Sequence, residues 1–384
     1  MKKIRVTTPA LAKAFREMPA RIYRDDPEYI RPLDKDIEAV FDPKQNKFFQ
    51  DGECERWLFI DEHNAYIGRL AVFHTPKYAQ EQATGGIGFF ECIPNKAIAH
   101  AMFDEAKAWL QIRGMEAMDG PINFGERDKW WGLLLNGFIQ PLYGMNYNPP
   151  YYREFFESYG FQLYFNQYCY GMEVNKPLNE KHMRVYNIYA NKPDFEAVKV
   201  KKNELNRFAD AFCTIYNKAW AAHPGDKQME PAMARNIFAQ MKPILDEDIA
   251  WFVYYKNEPI AMWLNLPDLN QYFRHFNGRF GLLEKLKFLY LRFKGECTRF
   301  VGVVYGVVPE WQGRGTDAYM IGECHKTLHP NPRYEKFEMQ WIGDFNPKMM
   351  NLAKGLGATE VRHFATYRYL FDRTKPFERH PILE

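Results

Sequence analysis

The sequence predicts an α/β chain of two tandem domains, each a mixed, mostly antiparallel sheet flanked by helices. Three observations carry this expectation. A hairpin followed by a strand, a helix and a closing strand occurs twice. The second occurrence comes roughly 195 residues after the first, the spacing of a duplicated domain rather than of a solenoid unit. The length of 384 residues also exceeds the usual range of one domain.

The first 50 residues are polar and dotted with Pro27, Pro32 and Pro43, and are expected to form an irregular lead-in. Residues 57–73 read as a hairpin about the turn Asp61-Glu62-His63-Asn64, and 86–93 as the next strand. After Pro94 the apolar spacing Ile98, Met102, Ala106, Leu110 is helical. Residues 151–159 then give a helix, Gly160 a stop and 167–174 a strand. The order returns in the hairpin 249–266, the strand 300–308, the helix 318–328, a strand at 336–342, the helix 348–356 and the strand 364–371. Polar residues around Pro177 and Pro193 place the boundary between a first domain at 1–180 and a second at 190–384. The second copy carries an insert at 267–296. Its leucines alternate with Lys285, Lys287, Arg292 and Lys294, a pattern suited to peripheral membrane contact through 280–294, to covering an acyl tunnel, or to packing on its own domain.

With 51 Lys and Arg against 48 Asp and Glu the net charge is +3, too small to point to nucleic acid. The six cysteines are far apart with no CxxC pair, so neither zinc nor a disulfide framework is suggested. The N-terminus lacks the apolar core of a signal peptide, and the expected compartment is the cytoplasm. Aromatic content of 17% is ample for two cores and for a pocket.

The segment most informative about chemistry is Val307-Val308-Pro309-Glu310-Trp311-Gln312-Gly313-Arg314-Gly315-Thr316-Asp317-Ala318, between a strand and a helix. Its glycines permit a tight loop whose N–H groups converge at a helix N-terminus, where unpaired amides and the helix dipole both favour a phosphate. Arg314 adds a charge-assisted contact. This strand, Val-x-Pro and Gln-x-x-Gly arrangement resembles the pyrophosphate loop of the GNAT superfamily of acyl-coenzyme A acyltransferases.

The resemblance implies that Val307 and Val308 hold the pantetheine arm and that Gln312, Gly313, Arg314, Gly315 and Thr316 hold the pyrophosphate, with Asn346 following on the next helix. It implies acetyl-coenzyme A or another acyl-coenzyme A as co-substrate, no metal, and a small-molecule or lipid amine as acceptor. Asp317 departs from the pattern, which has a small residue there. The tyrosine expected on the helix after Asn346 is also missing: Ala353 and, in the first copy, Phe156 stand in its place. Glu338 is therefore the first candidate for the base, and Tyr367 and Tyr369 are candidates for the thiolate's proton donor.

The first copy has no glycines at its strand-to-helix junction, Ile93-Pro94-Asn95-Lys96, and is expected to have lost coenzyme A binding. Its loops rich in aromatic and amide residues suggest an acceptor pocket of Asn123, Trp130, Tyr147, Asn148, Tyr151 and Tyr152. The functional expectation is transfer of an acetyl or longer acyl group to an amine. Alternatives are a sphingoid-type lipid N-acyltransferase working at the membrane surface and a catalytically silent coenzyme A-binding or interaction module. Transfer from aminoacyl-tRNA, known in other tandem members, fits the near-neutral charge poorly.

Overall fold

The computed structural model describes residues 1–78, 82–220, 228–329 and 333–383. The first half contains β1 (Lys2–Arg5), α1 (Pro9–Glu17), α2 (Pro19–Ile22), α3 (Asp34–Phe41), β2 (Glu53–Ile60), β3 (Tyr66–His74), β4 (Thr84–Cys92), α4 (Lys96–Ile112), β5 (Ala117–Gly120), β6 (Leu133–Asn136), α5 (Tyr152–Tyr159) and β7 (Gln162–Glu173). The linking helix α6 (Glu180–Ala190) follows. The second half contains β8 (Phe195–Lys199), α7 (Leu205–Ala219), α8 (Pro231–Met241), β9 (Ala250–Tyr255), β10 (Glu258–Pro267), α9 (Asn270–Phe273), α10 (Leu282–Phe293), β11 (Arg299–Val307), α11 (Thr316–Leu328), β12 (Lys336–Met339), β13 (Ile342–Gly343), α12 (Pro347–Gly355) and β14 (Thr359–Leu370). Apart from α9 and α10, and with two helices (α7, α8) where the first half has three (α1–α3), the second half repeats the order of the first.

One expectation is corrected. The N-terminal segment is not irregular: β1 adds an antiparallel edge to β2, and α1 begins on Pro9 with Thr8 accepting the Leu11 amide at 3.3 Å. Proline at the first helical position costs no hydrogen bond, so Pro9 and Pro19 start helices. The polar boundary is likewise a helix, α6, capped by Asn179, whose side chain accepts the His182 amide at 2.8 Å.

All fourteen strands lie in one sheet, in the order β1-β2-β3-β4-β5-β14-β7-β12-β11-β10-β9-β8, with β6 on β14 and β13 on β7. The two halves exchange their last strands. Strand β14 enters between β5 and β7, and β7 pairs with β12. The β7–β14 ladder runs antiparallel from Thr359 opposite Gly171 to Arg368 opposite Gln162 and forms the centre of the molecule. Among the described residues only β4–β5 and β11–β12 are parallel, and both pairs diverge after three or four residues because the helix that follows β4 or β11 must cross over the sheet.

The exchange fixes the cores. Ala365, Tyr367 and Tyr369 of β14 pack with Trp57, Phe103 and Phe156 of the first half. Arg368 pairs with the fully buried Asp119 at 2.7 Å. At the seam, Arg362 on β14 donates to Glu338 on β12 at 2.5 Å and to the carbonyls of Ile139 and Gln140. Arg299 lies 3.5 Å from the other Glu338 oxygen and pairs with Asp268 at 2.7 Å. Each buried charge therefore meets an opposite charge, without which it would be strongly destabilising.

Because each half's sheet is completed by the other's strand, denaturant is expected to unfold both halves in a single transition, with Trp57 and Trp263 fluorescence changing together. Two separated transitions would contradict the exchange.

Candidate active site

Beyond Gly302 and Met339, β11 and β12 part, and a register shift between Leu264 and Asn265 of β10 accompanies the divergence. The gap is a cavity of about 480 Å³. Trp263, Phe337 and Met339 wall one side, Ile321, Met349 and Leu352 of α11 and α12 cover it, and Trp220 closes the far side against Gly306. The walls are mostly aromatic and aliphatic. Among the described lining residues Tyr305 is the one titratable side chain, and burial together with the nearby Asp317 carboxylate pushes its phenol well up. Its hydroxyl therefore stays protonated at neutral pH and serves as a hydrogen-bond donor. The sequence reading passed over it because a tyrosine inside an apolar strand looks like core.

One end of the cavity's strand runs into the glycine loop. Val307 is buried and its carbonyl accepts the Gln312 side-chain amide at 3.0 Å, while the Val308 N–H is already committed to Ile260. Gln312, Gly313 and Arg314 are exposed. Gly313 and Gly315 adopt φ of 69° and 89°, the left-handed conformation that turns successive amides to one side. Among the described residues no backbone acceptor faces the N–H groups of Gly313, Gly315 and Thr316, and nothing lies within 4 Å of a Cβ added at Gly313. An open nest at the N-terminus of a thirteen-residue helix thus fits a diphosphate.

The back of the loop is held by α6. Tyr189 donates its hydroxyl to the Arg314 carbonyl at 2.5 Å, and a Cβ on Gly315 would approach Val185 to 2.3 Å. Asp317 stands in the first turn of α11, where its charge raises the Tyr305 and Tyr189 phenols and opposes the burial that lowers His182. It occupies part of the field that would attract an anion. Asn346 caps α12, accepting the Met349 amide at 3.2 Å, and lines the cavity.

The remaining candidates lie elsewhere. Glu338 does not face the cavity: its neighbours Phe337 and Met339 do, and alternation turns Glu338 to the opposite side, between Arg362 and Arg299. Both of its carboxylate oxygens are thus engaged by guanidiniums and none is turned toward the cavity. Tyr367 and Tyr369 are carried away by the strand exchange into the first half's core, where Tyr367 donates to Glu157 at 2.8 Å.

In the first half, Trp130, Tyr147, Asn148 and Tyr152 do come together, around a cavity that holds only about 60 Å³, room for a water or two rather than for a lipid amine. Asn148 is consumed by the β6 backbone, bridging the amide and carbonyl of Leu134. Asn123 opens onto a separate surface groove beside Lys129.

Tyr151 and Tyr152 occupy the strand end of the first copy. At Cys92, the counterpart of Val307, the amide donates to the Tyr152 hydroxyl at 2.8 Å and the carbonyl accepts from Tyr151 at 3.1 Å. Tyr152 and Tyr23 also donate to Glu91, whose carboxyl burial pushes up against the pull of Arg69. The strand edge that binds a pantetheine arm in the resemblance is thus already satisfied from within.

No family model matches the chain. Over more than nine-tenths of its length it is similar to two curated proteins. One is the bacterial ceramide synthase of Caulobacter vibrioides, 25% identical over 377 residues and 95% of each chain. The other is protein YghO of Escherichia coli, 23% identical over 371 residues and 92% of each chain. Among solved structures it is similar to a tandem GNAT protein from the clavulanic acid biosynthesis pathway, with a TM-score of 0.55 at 9% identity, covering 98% of this chain and 99% of that one. It is also similar to the GCN5-related glucosamine N-acetyltransferase region of a fungal GH3 beta-N-acetylglucosaminidase, with a TM-score of 0.56 at 11% identity, covering 96% of this chain and 38% of that one. The fold is that of a tandem GNAT protein.

Gly313→Glu, whose added Cβ meets no neighbour although its φ of 69° strains any side chain there, is expected to weaken coenzyme A binding at least about tenfold by calorimetry. Asp317→Ala is expected to tighten it about two- to fivefold by relieving repulsion at the helix end. Gly315→Glu is the poorer probe because it also collides with Val185. Glu338→Gln should lower unfolding free energy by about 3 kcal/mol in denaturant titration, since it leaves buried guanidiniums underpaired. Full stability with lost turnover would instead restore Glu338 as the base.

Proposed function

We propose, with the tandem GNAT fold as premise, that the chain transfers a long acyl group from an acyl-coenzyme A thioester to a lipid amine of the sphingoid type. The carrying observation is the apolar cavity of about 480 Å³ between β11 and β12, on the strand that runs on into the open glycine loop. Its volume and its aromatic and aliphatic walls suit hydrocarbon, whereas a small polar amine would need paired polar groups there. The name of the Caulobacter relative, a ceramide synthase, supports the same reading.

In this reading the nest at Gly313–Thr316 grips the diphosphate, and the edge of β11 left free by β12 lines up the pantetheine arm, so that the thioester lies inside the gap. Attack by the amine nitrogen forms the C–N bond as the C–S bond breaks. The apolar walls disfavour an ammonium, so the amine enters in its neutral, nucleophilic form and its proton leaves to water after attack. Tyr305, kept protonated, donates a hydrogen bond to the departing thiolate. The catalytic contribution is mainly positioning in a dry slot, which requires neither Glu338 nor a tyrosine at position 353.

The test pairs coenzyme A thioesters of graded chain length with amines from ethanolamine to a sphingoid base, reading amide product by mass spectrometry. Long thioesters with the sphingoid base are expected to give the product. Acetylation of small amines alone, or no amide from any pair, would refute the reading. Leu352→Trp, which fills the cavity, should lower kcat/KM for the longest thioester at least about tenfold while sparing acetyl-coenzyme A.

A further inference from the structure

Helix α10 buries little of itself. Phe288 packs on Tyr272 with ring centres 5.0 Å apart, Leu291 is buried beside it, and Arg292 is pinned to the carbonyls of Pro243 and Leu245. The opposite arc is apolar and open to water: Leu282 is 75% exposed, Leu283 77%, Leu286 57%, Leu289 58%, Tyr290 54% and Phe293 90%. Spaced at i, i+1, i+4, i+7, i+8 and i+11, these six side chains make one continuous stripe about 120° wide on the helix. A contiguous exposed stripe of large apolar residues on a soluble face calls for a partner.

Charge selects the partner. Lys285 flanks the stripe on one side and Lys287 and Lys294 on the other, all exposed, and Arg274 and Arg279 are exposed just before the helix. The one acid on α10, Glu284, is turned back to accept the Gly281 amide at 2.8 Å, and Glu296 just beyond is engaged with His275 at 2.6 Å. Two copies of this face laid together would bring like charges into contact. A sheet of anionic headgroups over acyl chains complements both the lysines and the stripe.

We infer that α10 docks the protein on an anionic phospholipid surface, with its leucines and Phe293 seated at the acyl boundary and the flanking lysines among the phosphates. No helix among the described residues is long and apolar enough to cross a membrane, so the attachment is peripheral. It stands on the surface of α10 alone and is independent of the transfer reaction.

The experiment is flotation of the full chain, without thioester, on phosphatidylcholine vesicles with and without phosphatidylglycerol, at low and high salt. The wild type is expected to float with the anionic vesicles and to be released by salt. Lys285→Gln/Lys287→Gln/Lys294→Gln should reduce partitioning onto them roughly 100-fold, at about fivefold per lysine. Leu286→Glu/Phe293→Glu should abolish it, with unchanged melting temperature because both side chains are exposed. Wild type left at the bottom of the gradient, or variants that float as it does, would overturn the inference. So would a solution dimer that the Leu286 and Phe293 substitutions convert to monomer, which would assign the face to a second copy.

Discussion

The exchange of β7 and β14 is the constraint on which the rest of the molecule depends. A sheet whose parallel pair splays to admit a ligand needs a strand beyond the splay to finish it, and here each half borrows that strand from the other. The borrowed strands then pair with each other over most of their length, so the two halves share a centre instead of touching at a surface. The buried network of Asp268, Arg299, Glu338 and Arg362 follows from this: strands from both halves meet where loop carbonyls at 139 and 140 also converge, and only a complete set of opposing charges tolerates the dry setting.

Duplication has produced two clefts with opposite fates. Both copies part their fourth and fifth strands. In the first, tyrosine hydroxyls reach the exposed backbone at Cys92 and close it, and the residual space is of water size. In the second the corresponding space is walled mostly by aromatic and aliphatic side chains, with Tyr305 the one titratable group among the described lining residues, and it remains open. Two adjacent tyrosines at 151 and 152 facing a strand end thus distinguish the first cleft from the second, alongside the missing glycines at the loop.

Local features were legible in the sequence and non-local ones were not. The hairpins, the strand-to-helix junctions and the loop at Gln312 to Thr316 are written in neighbouring residues, through alternation, turn chemistry and glycine, and they stand where the pattern puts them. Asn346 likewise caps its helix. Tyr367, Tyr369 and Glu338 were misplaced because their surroundings are set by which strand pairs with which across some 200 residues, and no short pattern encodes that. The lead-in reads as irregular from Pro27, Pro32 and Pro43, whereas Pro9 and Pro19 start helices: the residue that ends a helix from inside begins one when placed first. Tyr305 was hidden because only the parting of β11 from β12, also non-local, turns a core tyrosine into a wall of a cavity.

The borrowed strand also dictates an order of events at the ribosome. Strand β5 is complete at Gly120, yet its free edge is met only by residues 367–370. Throughout synthesis of the intervening chain, about 250 residues or roughly 12–50 s at ordinary elongation rates, the first half presents an unpaired edge and an unfilled core. Nascent chains of this protein therefore carry an uncompleted sheet edge for most of their synthesis, and a premature stop before the last strand leaves that edge unfilled.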